Sequence, residues 1–370
     1  MTRYRFLVFI VVFQSVLILA HLFLYETWNF FWRAPDPPGI SPLQVIVGIL
    51  SISFLAASIL AFRYSNLVVR SLYTIAAVWL GTASFAFLAA CACWVIYGFL
   101  WLLGARVNGR LLAELVFGAA FALSAASVVN ANWTRVKRIN VKLPNLPAAW
   151  RGRVAALVSD LHLGHVKNLG FVKRIVRTIT RVRPDVVFIA GDLYDGTAVD
   201  IPGLAKPLSM LSAPLGTFFV AGNHEEFRDH TKYLQAVSGS GVRVLDNERV
   251  TIDGLQIVGV HYRDATDTQH FRKVLRNTGV DREQASVLLT HAPDRLHVSE
   301  EEGISLQLSG HTHRGQFFPF TWITKRIYGK YVYGLKQLGK MWVYTSSGAG
   351  TWGPPLRLGS SPEIVLIRFE

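Results

Sequence analysis

The sequence predicts an α/β domain preceded by an all-α transmembrane region of about four helices. Three observations predict it. Charge is sparse in residues 1–134, that stretch carries four long uncharged runs, and from residue 151 onward short apolar runs alternate with amphipathic ones. The 370 residues are 51% hydrophobic with a formal net charge of +14, yet residues 1–134 hold only 7 of the 38 Lys and Arg and 3 of the 24 Asp and Glu. The other 236 residues carry 31 and 21, an ordinary soluble-domain density and +10 of the net charge. One uniform globular domain is thereby excluded. Intrinsic disorder is excluded too, because a chain this apolar buries enough surface to offset its ordering entropy.

A helix that crosses a bilayer needs about 20 apolar residues, and the runs 6–25, 37–62, 71–105 and 115–134 provide them. A cleaved signal peptide would account only for the first, which is too long and has no small-residue cleavage site before Glu26. The third run is 35 residues, roughly 50 Å as a helix. It is therefore one tilted or projecting span, or two spans. For four spans, Arg3, Arg5, Arg63, Arg70, Arg135, Lys137, Arg138 and Lys142 fall on one side and Arg33, Arg106 and Arg110 on the other. The larger count puts the C-terminal domain on the cytoplasmic side of an inner or plasma membrane. Cys91 and Cys93 sit two apart in the third run and make no disulfide framework. His21 is the one ionisable group well inside a run, with Glu114 at an edge. A satisfied histidine is expected at position 21, which favours an anchor over a transport path.

Residues 135–150 read as a linker, basic at first and then broken by Pro144 and Pro147. Beyond it, over 151–370, strands are expected at 154–158, 186–190, 217–220, 242–245, 255–260, 287–289, 306–308, 342–344 and 364–367, with a helix at 171–181. Residues with metal-ligand chemistry follow several of these strands: Asp160 and His162, then Asp192 after Gly191, then Asn223, His224 and Glu225 after Gly222. Two further groups are His291 after Thr290, and His311 and His313 after Gly310. Strand ends at one edge of an α/β sheet gather distant side chains into one crevice. Mixed oxygen and nitrogen donors suit Mn, Fe or Zn better than Ca or Mg. A lone His162 or His291 would read as structural, but five such clusters after five strands point to a binuclear metal site.

In this order, Ser159-Asp160-Leu161-His162, Gly191-Asp192, Gly222-Asn223-His224-Glu225, Thr290-His291 and Gly310-His311-Thr312-His313 resemble the blocks of the calcineurin-like metallophosphoesterases. The resemblance covers about residues 140–370. It is similar in particular to a bacterial branch that includes membrane-anchored members, with Gly-Gln after the His-Thr-His and a tail like Gly350-Thr351-Trp352-Gly353-Pro354-Pro355. It implies an αββα sandwich, phosphoric ester hydrolysis, and two divalent transition-metal ions, with Mn ahead of Fe or Zn. It also implies that one ion takes Asp160, His162, Asp192 and His313, the other takes Asp192, Asn223, His291 and His311, and Asp192 bridges them. One shared carboxylate offsets the repulsion of two dications, while neutral Asn and His complete the shells without repelling a phosphate. Two ions about 3.5–4 Å apart clamp a phosphoryl group for in-line displacement.

His224 is implied to face the phosphate, stabilising the transition state or protonating the leaving oxygen. Packing at a helix start is the structural alternative. Glu225 and Glu226 are expected to begin that helix, at the end of its dipole that favours carboxylates, with no catalytic role. Asp195 is either a partner of the bridging carboxylate or a turn former before Gly196, and His165 reads as a solvated loop histidine. Arg314 stands where many relatives have glycine, which changes the rim and leaves the ligands intact.

Phe317, Phe318, Phe320, Trp322, Lys325, Arg326, Tyr328, Lys330, Tyr331 and Lys336 interleave rings and cations. Such a stretch lies in an anionic headgroup region or covers an amphiphilic substrate, or else is a β-hairpin with one solvated face. Arg314, Trp322, Lys325, Arg326, Trp352 and Arg357 are the candidate substrate contacts. No long basic block or recognisable binding motif is present, so nucleic acid is not expected. The sequence therefore leads to a membrane-anchored enzyme cleaving a phosphodiester or pyrophosphate of a phosphate-bearing small molecule or lipid. Some relatives act on a UDP-linked diacylated glucosamine, the leading candidate by resemblance. A broad phosphomonoesterase is the alternative, and a non-catalytic membrane sensor or scaffold is the alternative outside enzymes.

Overall fold

The computed structural model describes residues 3–32 and 39–370. Arg33 and positions 37–38 of the second apolar run lie outside the described residues. Four helices come first: α1 (Arg3–Trp32), α2 (Pro42–Ala61), α3 (Leu67–Leu102) and α4 (Gly109–Asn132). Each is long and apolar enough to cross a membrane. The 71–105 run falls within a single continuous helix of 36 residues. Ser41 starts α2 through a capping box with Gln44, and Asn66 starts α3 by accepting the Val69 N–H. Large side chains such as Leu19, Ile49, Val95 and Leu115 are exposed, as on helices that face hydrocarbon. Several polar groups along the helices find partners. The Trp79 indole donates to His21 Nε2 (3.0 Å), His21 Nδ1 donates to the Leu17 carbonyl (2.8 Å), and Trp94 donates to Thr27 Oγ1 (3.0 Å). His21 is thus a satisfied histidine with both ring nitrogens engaged.

The chain divides into two compact units, Met1–Val129 with Gly353–Leu356, and Asn130–Trp352 with Arg357–Glu370. Within the first, Pro354 and Leu356 cover Gly81, where a Cβ would come 2.4 Å from Leu356 Cδ1.

Beyond the last turn of α4, the second unit runs β1 (Arg135–Val141), β2 (Val154–Val158), α5 (Leu169–Val182), β3 (Val186–Ala190), α6 (Ile201–Ala205), β4 (Thr217–Val220), α7 (His230–Ser238), β5 (Arg243–Val244), β6 (Glu248–Ile252) and β7 (Leu255–Gly259). It continues through α8 (Thr268–Asn277), β8 (Ser286–Leu289), α9 (Leu296–Glu301), β9 (Leu306–Ser309), α10 (Phe320–Tyr328), β10 (Gly334–Leu338), β11 (Met341–Thr345) and β12 (Glu363–Phe369). Two six-stranded sheets result, ordered β1-β12-β2-β3-β4-β5 and β10-β11-β9-β8-β7-β6. Strands β2 to β5 are parallel in the first sheet, as are β7, β8, β9 and β11 in the second.

Alternation along the buried strands creates the layers. Ala155 and Leu157 of β2 and Phe188 of β3 join Ile257, Val287 and Leu308 of the other sheet in one core. Ala156, Val158, Val187 and Ile189 point the opposite way, onto Phe171, Ile175 and Ile179 of α5 and Tyr233 of α7. Leu288 and Val258 likewise meet Phe271 and Leu275 of α8. The domain is therefore an αββα sandwich. Two expectations are corrected. The stretch 135–150, read as a linker, begins with β1, which pairs in parallel with β12 from Arg135 opposite Glu363 to Val141 opposite Phe369. The 317–336 stretch is not a hairpin: it forms α10 and leads into β10.

Candidate metal centre

Asp160 and His162 follow β2, Asp192 follows β3, and Asn223 and His224 follow β4. His291 follows β8, and His311 and His313 follow β9. All of these loops leave the C-terminal ends of parallel strands, so both sheets deliver side chains to one edge. The loops are sewn together by backbone. Asp160 N–H donates to Gly191 O (3.0 Å), His162 N–H to Asp192 O (3.1 Å) and Gly310 N–H to His291 O (2.7 Å). Backbone donors also aim the carboxylates: His224 N–H binds Asp192 Oδ1 (2.9 Å) and His311 N–H binds Asp160 Oδ1 (2.9 Å). Such contact needs bare backbone nearby. A Cβ at Gly222 would lie 2.2 Å from Asp192 Oδ1, and one at Gly310 would lie 2.2 Å from Asp160 Oδ2.

Three overlapping groups could each hold a metal ion: Asp160, His162 and His313; His162, Asp192 and His224; and Asp192, His291 and His311. Asp192 Oδ2 lies between them, 3.1 Å from His291 Nε2, 3.7 Å from His162 Nε2 and 3.9 Å from His224 Nε2. His162 Nε2 and His313 Nε2 face each other at 2.9 Å, and His311 Nδ1 and His291 Nε2 at 3.3 Å. Asn223 Oδ1 is buried with no hydrogen-bond partner, an acceptor of the kind a cation satisfies. Asp160, His162, Asp192, His311 and His313 all have φ between 48 and 69°, a left-handed conformation uncommon outside glycine and frequent at functional sites.

The electrostatics divide the rings, holding His162, His311 and His313 neutral and His291 protonated. Burial keeps the His162 and His313 rings well below the usual imidazole range and pushes His311 down to about 4. Burial also works against His291, but the Asp192 and Asp160 carboxylates outweigh it and push that ring up to about 10. Asp160 is pushed up to about 6, chiefly by burial. Asp192 is buried as well, yet His291 and His224 hold it well below the carboxylate range. His224 Nδ1 donates to the Asp195 carbonyl (3.0 Å), and His291 Nδ1 donates to Ala190 O (2.8 Å). In each ring that bond fixes the tautomer and leaves Nε2 facing the cluster.

Two exposed rings flank His224, with Phe227 at 4.3 Å and Trp352 at 5.7 Å between centroids. Tyr262 packs on His291 and His311, and Tyr328 at the end of α10 lies 6.3 Å from His311. Of the remaining candidate contacts, exposed Arg314 stacks over Tyr333, while Trp322, Lys325 and Arg326 project from the solvated face of α10. Arg357 is different. It is fully buried, donating to Ser347 O and Gly350 O (2.7 Å each) and lying 3.2 Å from His313 Nδ1, so it touches a cluster side chain and not the open crevice. His165 is buried where a solvated loop residue was expected. Asp195 is a half-buried turn former, its Oδ1 accepting from Thr197 N–H and Oγ, and its carbonyl orients His224.

Sequence reasoning missed Glu225. It does not cap a helix: fully buried, its carboxylate accepts the N–H groups of Gly222 (2.7 Å), Asp192 (3.0 Å) and Tyr194 (3.1 Å), tying two of the loops together. Its place directly after the Asn-His pair was the available signal. A separate gathering of Glu226, His230 and His261 has metal-like composition, but Glu226 and His261 are already engaged by each other and by Arg263. Arg263 N–H donates to His261 Nδ1 (3.1 Å), which leaves the proton on Nε2 to bind Glu226 (2.9 Å), and the Arg263 guanidinium pairs with the same carboxylate. It is an ion-pair network.

The calcineurin-like phosphoesterase family model matches residues 154–315. An uncharacterized metallophosphoesterase of Campylobacter jejuni is 33% identical over 70% of this chain and 70% of its own length. One of Helicobacter pylori is 36% identical over 58% of each chain. A bovine transmembrane protein with metallophosphoesterase domain is 32% identical over 67% of this chain and 60% of its own. The matched segment thus spans little more than half of the latter two relatives.

Proposed function

Because this chain belongs to the calcineurin-like metallophosphoesterases, we propose that it is a membrane-anchored hydrolase of a phosphodiester or pyrophosphate bond working with two divalent transition-metal ions, Mn foremost. The carrying observation is the convergence of carboxylates and imidazoles from five strand ends around Asp192. Asp160, His162 and His313 would hold one ion, Asn223, His291 and His311 the other, with Asp192 shared. When bound, such a pair supplies Lewis acidity and activated water at neutral pH. The residues do the rest. The neutral imidazoles keep the crevice from repelling a phosphate, the His224 and Asp160 carbonyl and amide partners hold ring and carboxylate in fixed directions, and His224 Nε2 can deliver a proton to the leaving oxygen. Burial depresses the His224 pKa, so an approaching phosphate anion would be needed to raise it again.

The substrate class follows from the surroundings. Phe320, Trp322, Ile323 and Ile327 are exposed on α10 beside Lys325 and Arg326, a surface suited to the boundary of acyl chains and phosphate headgroups. Four membrane-length helices would tether the chain to a bilayer, where lipids diffuse, so an amphiphile such as a nucleotide-linked lipid is the proposed substrate.

The test uses purified full-length protein. It should bind two ions per chain and hydrolyse an activated phosphodiester with strong Mn stimulation, and it should show a higher kcat/KM for an acylated substrate than for its free headgroup. His224→Ala should keep both ions and lose about 10²–10⁴-fold in activity. Full activity in that variant or after chelation defeats the reading, and equal rates on both substrates defeat its lipid part. The cytoplasmic orientation has its own check: a cytoplasm-dependent fluorescent reporter fused at residue 370 should light up, and alkaline phosphatase activity there would overturn it.

A further inference from the structure

We infer that the end of α4 positions one half of the metal centre, the Asp160, His162 and His313 group, through Asn130, Lys167 and Arg357; the inference rests on the two-ion reading. The last turn of α4, residues 130–132, belongs to the same compact unit as the metal centre. The final carbonyls of a helix have no donors within the helix. Here Lys167, buried in the loop that carries Asp160 and His162, supplies one: its Nζ donates to the Ala131 carbonyl, and also to the Asn132 side-chain Oδ1, both at 3.1 Å. Lys167 O in turn accepts Gly164 N–H (2.8 Å), two residues beyond His162.

The other side of the same turn reaches His313. Asn130 Nδ2 donates to Arg357 O and Ser360 O, both at 2.9 Å. The Arg357 guanidinium spans the His313 carbonyl (3.3 Å) and ring (3.2 Å) and holds Gly350 O, while Gly350 N–H donates to Asp160 O (2.8 Å). One helical turn is thus bonded both to Lys167, in the loop that carries Asp160 and His162, and to Arg357, which holds His313 directly and Asp160 through Gly350. His291 of the other group is fixed from within the sheet instead, by Ala190 O. Asn130, Lys167 and Arg357 are positioning residues. They tie residues 130–132 to the loops of the metal centre.

Full-length protein in detergent, titrated with Mn²⁺ and followed by electron paramagnetic resonance and by bound-metal analysis, tests the idea. Wild type should take up two ions and show the exchange-coupled spectrum of a close pair. Asn130→Ala and Lys167→Met should each weaken one of the two ions about tenfold or more, the scale of losing an outer-shell partner, and leave the other within about twofold. The coupled spectrum should give way to that of an isolated ion, matching His313→Ala, and return at high Mn²⁺. Unchanged affinity for both ions overturns the inference, and so does parallel loss of both in step with a lowered melting temperature. Fewer than two ions in wild type defeats the two-ion reading itself and the inference with it.

Discussion

The two halves of the proposed metal centre are built differently. In one, Asp160, His162 and His313 all have left-handed φ, 52, 48 and 49°, and sit in loops braced by side chains from outside the sheets. In the other, His311 shares the left-handed backbone with φ of 69°, but His291 comes off β8 with ordinary backbone and Asn223 off β4 with φ of −71°, and the His291 ring is locked by a carbonyl of β3. A donor standing on a strand end is preorganised by the sheet, whereas a donor in a strained loop stays in place only while its neighbours over-determine it. The difference teaches that the two ions should not be held alike, and that the loop-built half should be the first to loosen.

The largest effect should come where the halves do not differ. Asp192→Asn removes the shared charge, so both ions should be lost and activity should fall beyond the about 10–100-fold that an outer-shell substitution costs. Metal analysis showing one ion retained at full affinity would break the bridging assignment. Next comes Glu225→Gln. The amide keeps one acceptor oxygen for three backbone N–H groups, so at least one is orphaned, at about 1–3 kcal/mol, read as a lowered melting temperature.

The same residue predicts a pH dependence of chelated protein. Burial, reinforced by Asp192, raises the Glu225 pKa to about 7, and burial raises that of Asp195 to about 6. Between the ordinary carboxyl range and those values the unfolded chain has released protons that the folded chain keeps. Their contribution to stability should therefore fall as pH rises from about 4.5 to about 7. Thermal melts in chelator across that window check the sign, and Glu225→Gln should flatten the slope. The smallest effect is expected at Arg314, left-handed at φ 51° but exposed and outside the metal groups. Glycine relieves that backbone and loses the stacking on Tyr333, so Arg314→Gly should stay within about 1 kcal/mol of wild type with both ions retained. A large loss of metal would show that strain outside the ligands also matters.

The sequence made the buried half of the fold legible and hid its margins. Expected strands at 154–158, 186–190 and 217–220 coincide with β2, β3 and β4, because parallel strands covered on both faces read as unbroken apolar runs. The unrecognised β1, β6 and β10 are all edge strands. Their charges, such as Arg135, Lys137, Arg138 and Lys336, keep an edge soluble and erase the apolar signal. The candidate ligands were legible because each follows a strand and several follow a glycine. The structural roles of Arg357 and Glu225 were not, since a buried charge is recognised by the carbonyls or N–H groups it meets, and several of those, such as the His313 carbonyl and the Asp192 N–H, lie far away in sequence. Helix α10 was hidden because its large rings remain exposed, so no buried stripe marks its period.

Gly222 and Gly310 carry a consequence for the history of such chains. A single methyl group at either position would collide with a carboxylate that is itself unchanged. Each glycine and the acid it accommodates can therefore be inherited only as a pair. A descendant that keeps every histidine and aspartate of the cluster, but has exchanged one of these glycines for alanine, should be counted among proteins that have abandoned the chemistry. Gly222→Ala in this protein is the way to see what such a descendant looks like.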